Sequence, residues 1–193
     1  MKHKDLRDFL FRGLMFEAEA SQFQTAGIQV GADSVAAEKR LLDEALAPFG
    51  VHRRNNALEM ARLYAVIHCF ENEVRSFIRE TLEEKEGVDW QDKLPVKIKE
   101  HAEGRRVVAL KDSWLEGEKT DLLGFLEFGH LAQIIVNKWD HFLDIIPSQH
   151  WLKQRMDELE KVRHFIAHNR MLLPSEFQRV YMYVADWNHV IGL

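Results

Sequence analysis

From Leu63 to Leu82 apolar residues return every three or four positions: Leu63, Val66, Ile67, Phe70, Val74, Phe77, Ile78 and Leu82. That is the period of an α-helix. A stripe held over about five turns cannot be laid out as a strand, whose side chains alternate every second residue. Asn56 followed by Glu59 has the spacing of a capping box, with Asn in place of Ser or Thr, and predicts a start near residue 57. Gly87 predicts an end near Lys85. Glu71, Arg75 and Arg79 are read as lying off the stripe at i, i+4 steps, where opposite charges help slightly. Only 4 Pro and 10 Gly occur in 193 residues, and they fall between the periodic segments. Long helices are therefore the economical solution for most of the chain.

The other segments follow the same rule. Leu6, Phe9, Leu10, Leu14 and Phe16 predict a helix over 4–20, and the two glycines of 24–33 predict a loop. A short helix is expected over 35–47, closed by Pro48 and Gly50. Pro95 opens a weaker helix to about Leu110, and the spacing from Leu122 to Ile145 predicts a helix over 121–146, with Gly124 and Gly129 as points of weakness and Pro147 as its end. Leu152, Met156, Leu159, Val162 and Ile166 mark a helix over 150–168. Ser175 and Gln178 form a Ser-x-x-Gln box for the last helix, whose predicted buried face is Phe177, Val180, Tyr181, Val184 and Trp187. No run alternates with period two. The expected fold is all-α, a helical bundle over residues 56–193 with an N-terminal helical appendage over 1–55.

Charge narrows the partners. The net charge is −5 and the pI about 6.1, whereas proteins that coat nucleic acid are usually basic. Contact with RNA is then expected to be local, at Lys93, Lys97, Lys99, Arg105, Arg106 and Lys111, or at Arg163, Arg170 and Arg179; the competing reading makes both groups solvated helix faces among interspersed acids. One cysteine, Cys69, excludes an intrachain disulfide and reads as a small buried hydrophobe. The start, MKHKDLRDFL, lacks the apolar core of a signal peptide, and no apolar run approaches the roughly 18 residues of a membrane span. The expectation is a cytoplasmic protein without membrane contact.

Several chemistries leave no trace. There is no Gly-rich phosphate loop, no nucleophile elbow and no His-Glu-x-x-His pair. Most of the ten histidines stand alone. His164 and His168, one turn apart, share a helix face and have a spacing that can hold a metal, but they are read as lacking the further ligand that completes a site. No metal and no cofactor are expected.

The most informative stretch is Val162-Arg163-His164-Phe165-Ile166-Ala167-His168-Asn169-Arg170. At about 100° per residue, Arg163 and His168 lie about 140° apart, and Leu159, Val162 and Ile166 centre the buried stripe about 70° to the other side of Arg163. His164 and His168 thus point away from the core. Arg163-x4-His168, with DELEKVRHFIAHNRMLLPSEFQRV around it, resembles the signature of HEPN domains. FENEVRSFIRETL, GVDW and FLEFGHLAQIIVNKWDHF are similar to earlier helices of the Swt-type branch. The resemblance spans about residues 56–193; His164 stands where Asn is commonest.

That resemblance implies a metal-independent endoribonuclease, or else a non-catalytic dimer module that binds a nucleotide, RNA or a protein. Enzymes of this kind use the ribose 2′-hydroxyl to attack the adjacent phosphate, leaving 2′,3′-cyclic phosphate and 5′-hydroxyl ends. His168 would be the general acid/base and Arg163 the phosphate clamp. His164 would assist in positioning or proton transfer, Asn169 and Arg170 would contact substrate, and Glu73 would orient Arg163. Family members typically dimerise with two motifs facing each other, so a homodimer through the motif face is expected. A toxin or phage-defence setting with an inhibitory protein partner is the biology such an activity would suit.

Overall fold

The computed structural model describes residues 34–111 and 121–192. The helix expected over 4–20 and the loop over 24–33 lie outside the described residues. The chain divides into two compact units between Arg54 and Asn55. Six α-helices and three short 3-10 turns occur among the described residues, with no strand. The helices are α1 (Ser34–Leu46), α2 (Val51–Glu86), α3 (Val96–Lys111), α4 (Phe128–Asn137), α5 (Gln149–Ala167) and α6 (Pro174–Ile191). None is long and apolar enough to cross a membrane.

α2 runs for 36 residues and starts at Val51, five positions before the Asn56 that the sequence suggested as its cap. Nothing in Val-His-Arg-Arg-Asn breaks a helix, and the Arg54 N–H bonds to the Gly50 carbonyl at 3.1 Å, closing the first turn earlier. The expected end holds: Gly87 has φ +86°, and its N–H bonds to the Glu83 carbonyl at 3.0 Å. A residue without Cβ adopts that left-handed cap at least cost. The buried residues are Met60, Leu63, Ile67, Phe70, Glu71, Val74, Ile78 and Leu82. The expected stripe is present, with a carboxylate on it. Cys69 is exposed, not buried as the sequence suggested; it sits beside Phe70 on the turn but faces away from the stripe.

The segment 121–146 is not the single helix its spacing suggested. A 3-10 turn (Leu122–Phe125) capped by Asp121 precedes α4, and a second (Trp139–His141) follows it. The break is stabilised from outside the segment. Arg75 of α2 donates from Nε to the Leu123 carbonyl at 3.0 Å and from Nη2 to the Leu126 carbonyl at 3.1 Å. Arg79 pairs with Asp121. The Arg75 bonds add a side-chain donor to two carbonyls at the break, the Leu123 carbonyl also accepting from the Leu126 N–H at 3.1 Å.

The core joins α2, α4 and α6 through aromatic contacts. Trp187 meets Phe70 and Phe77 edge-on at 5.6 and 5.5 Å, and Phe70 packs on Phe128 at 5.7 Å. Perpendicular rings place a positive edge on a negative face. The buried face of α6 is Val180, Tyr183 and Trp187, with Phe177 and Val184 partly covered. Tyr181, expected inside, is 49% exposed, while Tyr183 is 6% exposed. Tyr183 reaches the interior because its hydroxyl donates to Glu158 of α5 at 2.7 Å. The α6 cap also moves two residues earlier: Glu176 accepts from the Leu173 N–H at 2.6 Å, and Pro174 is the first helical residue.

Candidate functional site

α5 and the turn after it hold the motif. Ser148 starts the helix by accepting from the Trp151 N–H at 3.1 Å. Leu152, Met156, Leu159 and Ile166 anchor its inner face. Arg163 lies at the edge of that face, and its side chain is 24% exposed. His164 and His168 are exposed, as the helix arithmetic requires.

The end of α5 is a Schellman turn. The Asn169 N–H bonds to the Ile166 carbonyl at 2.8 Å and the Arg170 N–H to the Phe165 carbonyl at 3.2 Å. Asn169 takes φ 57°, the left-handed conformation that Asn tolerates better than most residues with a Cβ. The Arg170 guanidinium lies 5.4 Å from the Phe165 ring centroid. Both residues, read from sequence as substrate contacts, are thereby given structural work. They fix the chain where it leaves His168, the C-cap residue.

Arg163 faces acids from two other elements at ion-pair distance, and its buried Nε has no hydrogen-bond partner among the described residues. Its Nε stands 3.9 Å from Glu71 Oε2 and its Nη2 3.6 Å from Glu127 Oε1. Glu71 is 7% exposed and bonds to Arg75 at 2.6 Å. Glu127, the N-cap residue of α4, also bonds to Arg105 of α3 at 2.8 Å. The hydrogen bond from Arg105 is the largest reason the Glu127 carboxyl lies below its ordinary range, outweighing burial. Glu73 does not approach Arg163; it lines a groove between α2 and α6 with Cys69, Phe70, Val184 and Asn188. Thus the acid beside Arg163 is Glu71, two residues earlier. The legible signal was its register: Ile67, Glu71, Val74 and Ile78 continue the buried stripe, and a carboxylate there needs a cationic partner.

A second cluster adjoins the first. Glu160 accepts from the Gly129 N–H at 2.9 Å, at the start of α4. Donor atoms of Glu127, Glu160 and His164 all lie within 4.8 Å of one another. These are the residues that could hold a metal; the sequence reading of His164 missed both carboxylates, although Glu160 stands one turn before it. Nearby, His101 of α3 stacks on His130 of α4 at 4.3 Å. Burial, then the His101 charge, pushes the His130 pKa down, which favours the neutral ring.

The proposed RNA-facing bases are largely paired within the chain. Lys99 bonds to Asp92, Arg106 to Glu103 and Arg179 to Glu158. Lys93 donates to the Glu86 carbonyl. Chemically the arrangement offers a guanidinium within ion-pair distance of two carboxylates, with one exposed imidazole at the helix C-cap and another one turn before it. A family model described as Swt1-like HEPN matches residues 65–192, more than half of the 193-residue chain. No curated protein and no solved structure matches it.

Proposed function

The chain belongs to the Swt1-like HEPN family, and on that premise we propose that it is a metal-independent endoribonuclease acting through Arg163 and His168. The observation that carries the reading is the contrast between the two residues. Arg163 is partly covered and paired at longer range with Glu71 and Glu127, while His168 is exposed at a helix end closed by backbone hydrogen bonds. A permanently charged, partly covered guanidinium suits the phosphate and the charge that builds on it in the transition state. An exposed imidazole suits proton transfer near neutral pH.

In this reading His168 takes the proton from the ribose 2′-hydroxyl or gives one to the departing 5′-oxygen. One histidine cannot do both in a single step. His164, or the motif of a second copy, supplies the other transfer. Two copies facing each other across a two-fold axis would bring both sets to one phosphate. A toxin or phage-defence system with an inhibitory protein suits such an activity. The competing reading is a non-catalytic module that binds a nucleotide, RNA or a protein; the net charge of −5 and the in-place pairing of the bases favour it.

The test is cleavage of single-stranded and structured RNA in EDTA, with end-group analysis. Cyclic phosphate and 5′-hydroxyl ends are expected. His168→Ala should lose about 10²–10⁴-fold in rate yet melt within about 0.5 kcal/mol of the parent, as exposed substitutions usually do. Arg163→Ala should lose rate and RNA affinity together. A parent that cuts no RNA moves the binding-module reading ahead; one that cuts only when Mg²⁺ or Mn²⁺ is restored rejects the metal-independent mechanism.

A further inference from the structure

We propose that Glu127, Glu160 and His164 form a site for a divalent transition metal, with zinc as the best-fitting ion, and that an ion there holds the motif inactive. The binding half stands on geometry alone; the regulatory half rests on the ribonuclease reading.

The three donors come from two elements. Glu160 and His164 stand one turn apart on the same face of α5, and Glu127 is the N-cap residue of α4. Their donor atoms lie within 4.8 Å of one another. Zinc sits about 2.0–2.2 Å from nitrogen and oxygen ligands in tetrahedral sets, so two donors on one ion stand about 3.4 Å apart. Side-chain rotation of about 1.4 Å at most closes the remaining gap, and exposed His164 has room to supply it. One imidazole with two carboxylates suits zinc, whereas magnesium and calcium prefer all-oxygen sets.

The acids are positioned before any ion arrives. A Cβ at residue 129 would stand 3.0 Å from Glu160 Oε2, so glycine there admits the carboxylate to the helix start. The bonds described above use Oε2 of Glu160 and Oε1 of Glu127, leaving the second oxygen of each for a ligand role. One turn along α4, His130 Nδ1 is a buried atom with no hydrogen-bond partner among the described residues.

Arg105 and Arg163 compete with the ion for Glu127. Binding is therefore modest, and it has a consequence: an ion that takes Glu127 loosens Arg163 and occupies His164. The test uses the full chain freed of metal by chelation. Zinc is titrated by calorimetry and cobalt by visible absorption. One ion per chain is expected. His164→Ala and Glu160→Gln should each weaken it by about tenfold or more, and Arg105→Ala should tighten it. Because Glu160→Gln can loosen α4, exposed His164→Ala keeps the test decisive, with melts in metal-free buffer as the fold control. No saturable binding, or binding unchanged in both variants, overturns the site. Zinc should lower RNA cleavage by the parent more than by Glu160→Gln; binding without inhibition overturns the regulatory half. A parent that cuts no RNA sinks the ribonuclease reading and with it that half, while the titration still judges the site.

Discussion

At Asn169 the backbone turns left-handed, φ 57°, immediately after His168. The side chain that follows the proposed acid/base is thus chosen by a backbone requirement. Asn169→Gly should leave stability within a few tenths of a kcal/mol, because glycine takes that conformation freely. Asn169→Ala should cost about 1–2 kcal/mol, and it should slow cleavage by disturbing His168. Urea melts and cleavage rates on the two variants check this. If Asn169→Gly melts like the parent yet loses cleavage, Asn169 contacts substrate as the sequence reading had it. Glu71 shows a different limit of residue-level reading. Counting outward from Arg75 and Arg79 makes it one member of a surface charge ladder. Counting along Ile67, Val74 and Ile78 makes it a buried acid, and the fold bears out the second count. The same residue type two positions on, Glu73, looked equivalent in composition but faces the groove toward α6.

At the scale of elements, α2, α5 and α6 were legible because each carries an apolar stripe that packs into the core. The segment 121–146 was not, because its apolar spacing continues across the break. What interrupts it is supplied from far along the chain: Arg75 on two carbonyls and Arg79 on Asp121. Local propensity contains no sign of those partners. Asp121 caps the turn that opens the segment: its side chain accepts from the Leu123 N–H at 3.0 Å. The start of α2 was misread for the opposite reason: a cap-like spacing at Asn56 and Glu59 sits inside a stretch that nothing terminates. The meeting of α4 with α5 depends on Gly129, so Gly129→Ala tests it. The added Cβ would stand 3.0 Å from Glu160 Oε2 and displace the carboxylate from the Gly129 N–H. Glu160 is the end of a flexible side chain and can swing away. The expected loss is that of one charge-assisted bond, about 1.5–3 kcal/mol, less whatever helix propensity alanine returns. A thermal melt reads it. An unchanged or raised melting temperature would show that the Glu160 contact does not stabilise the α4 start.

Across the molecule, acids at three joints are held below their ordinary range: Glu86, Glu127 and Glu158. Glu86, at the end of α2, meets Lys138 at 2.8 Å and His141 at 2.9 Å beyond α4. Glu127 gathers α3 and α5 onto the start of α4. Glu158 ties α5 to α6 through Tyr183, whose hydrogen bond is the largest cause of its lowering. For Glu86 the largest single influence is burial, which opposes ionisation; Lys138 and His141 together outweigh it. The sign of the pH dependence follows. A carboxyl whose folded pKa is lowered binds fewer protons folded than unfolded as pH falls past the unfolded value, so acid favours unfolding. Each acid contributes fully above its unfolded value, 4.5, and the contribution drains away as pH falls through the lowered folded value. Glu86→Gln isolates one joint, because it keeps the shape and removes the charge. At pH 7 it should cost about 1.5–3 kcal/mol, the range for hydrogen bonds to charged groups. Below the ordinary carboxylate range the parent's own Glu86 becomes protonated, so the two proteins should converge in stability. Melts of both from pH 7 down to pH 3 supply the comparison. A difference that stays constant across that window would mean that Glu86 stabilises the joint by packing and not by charge.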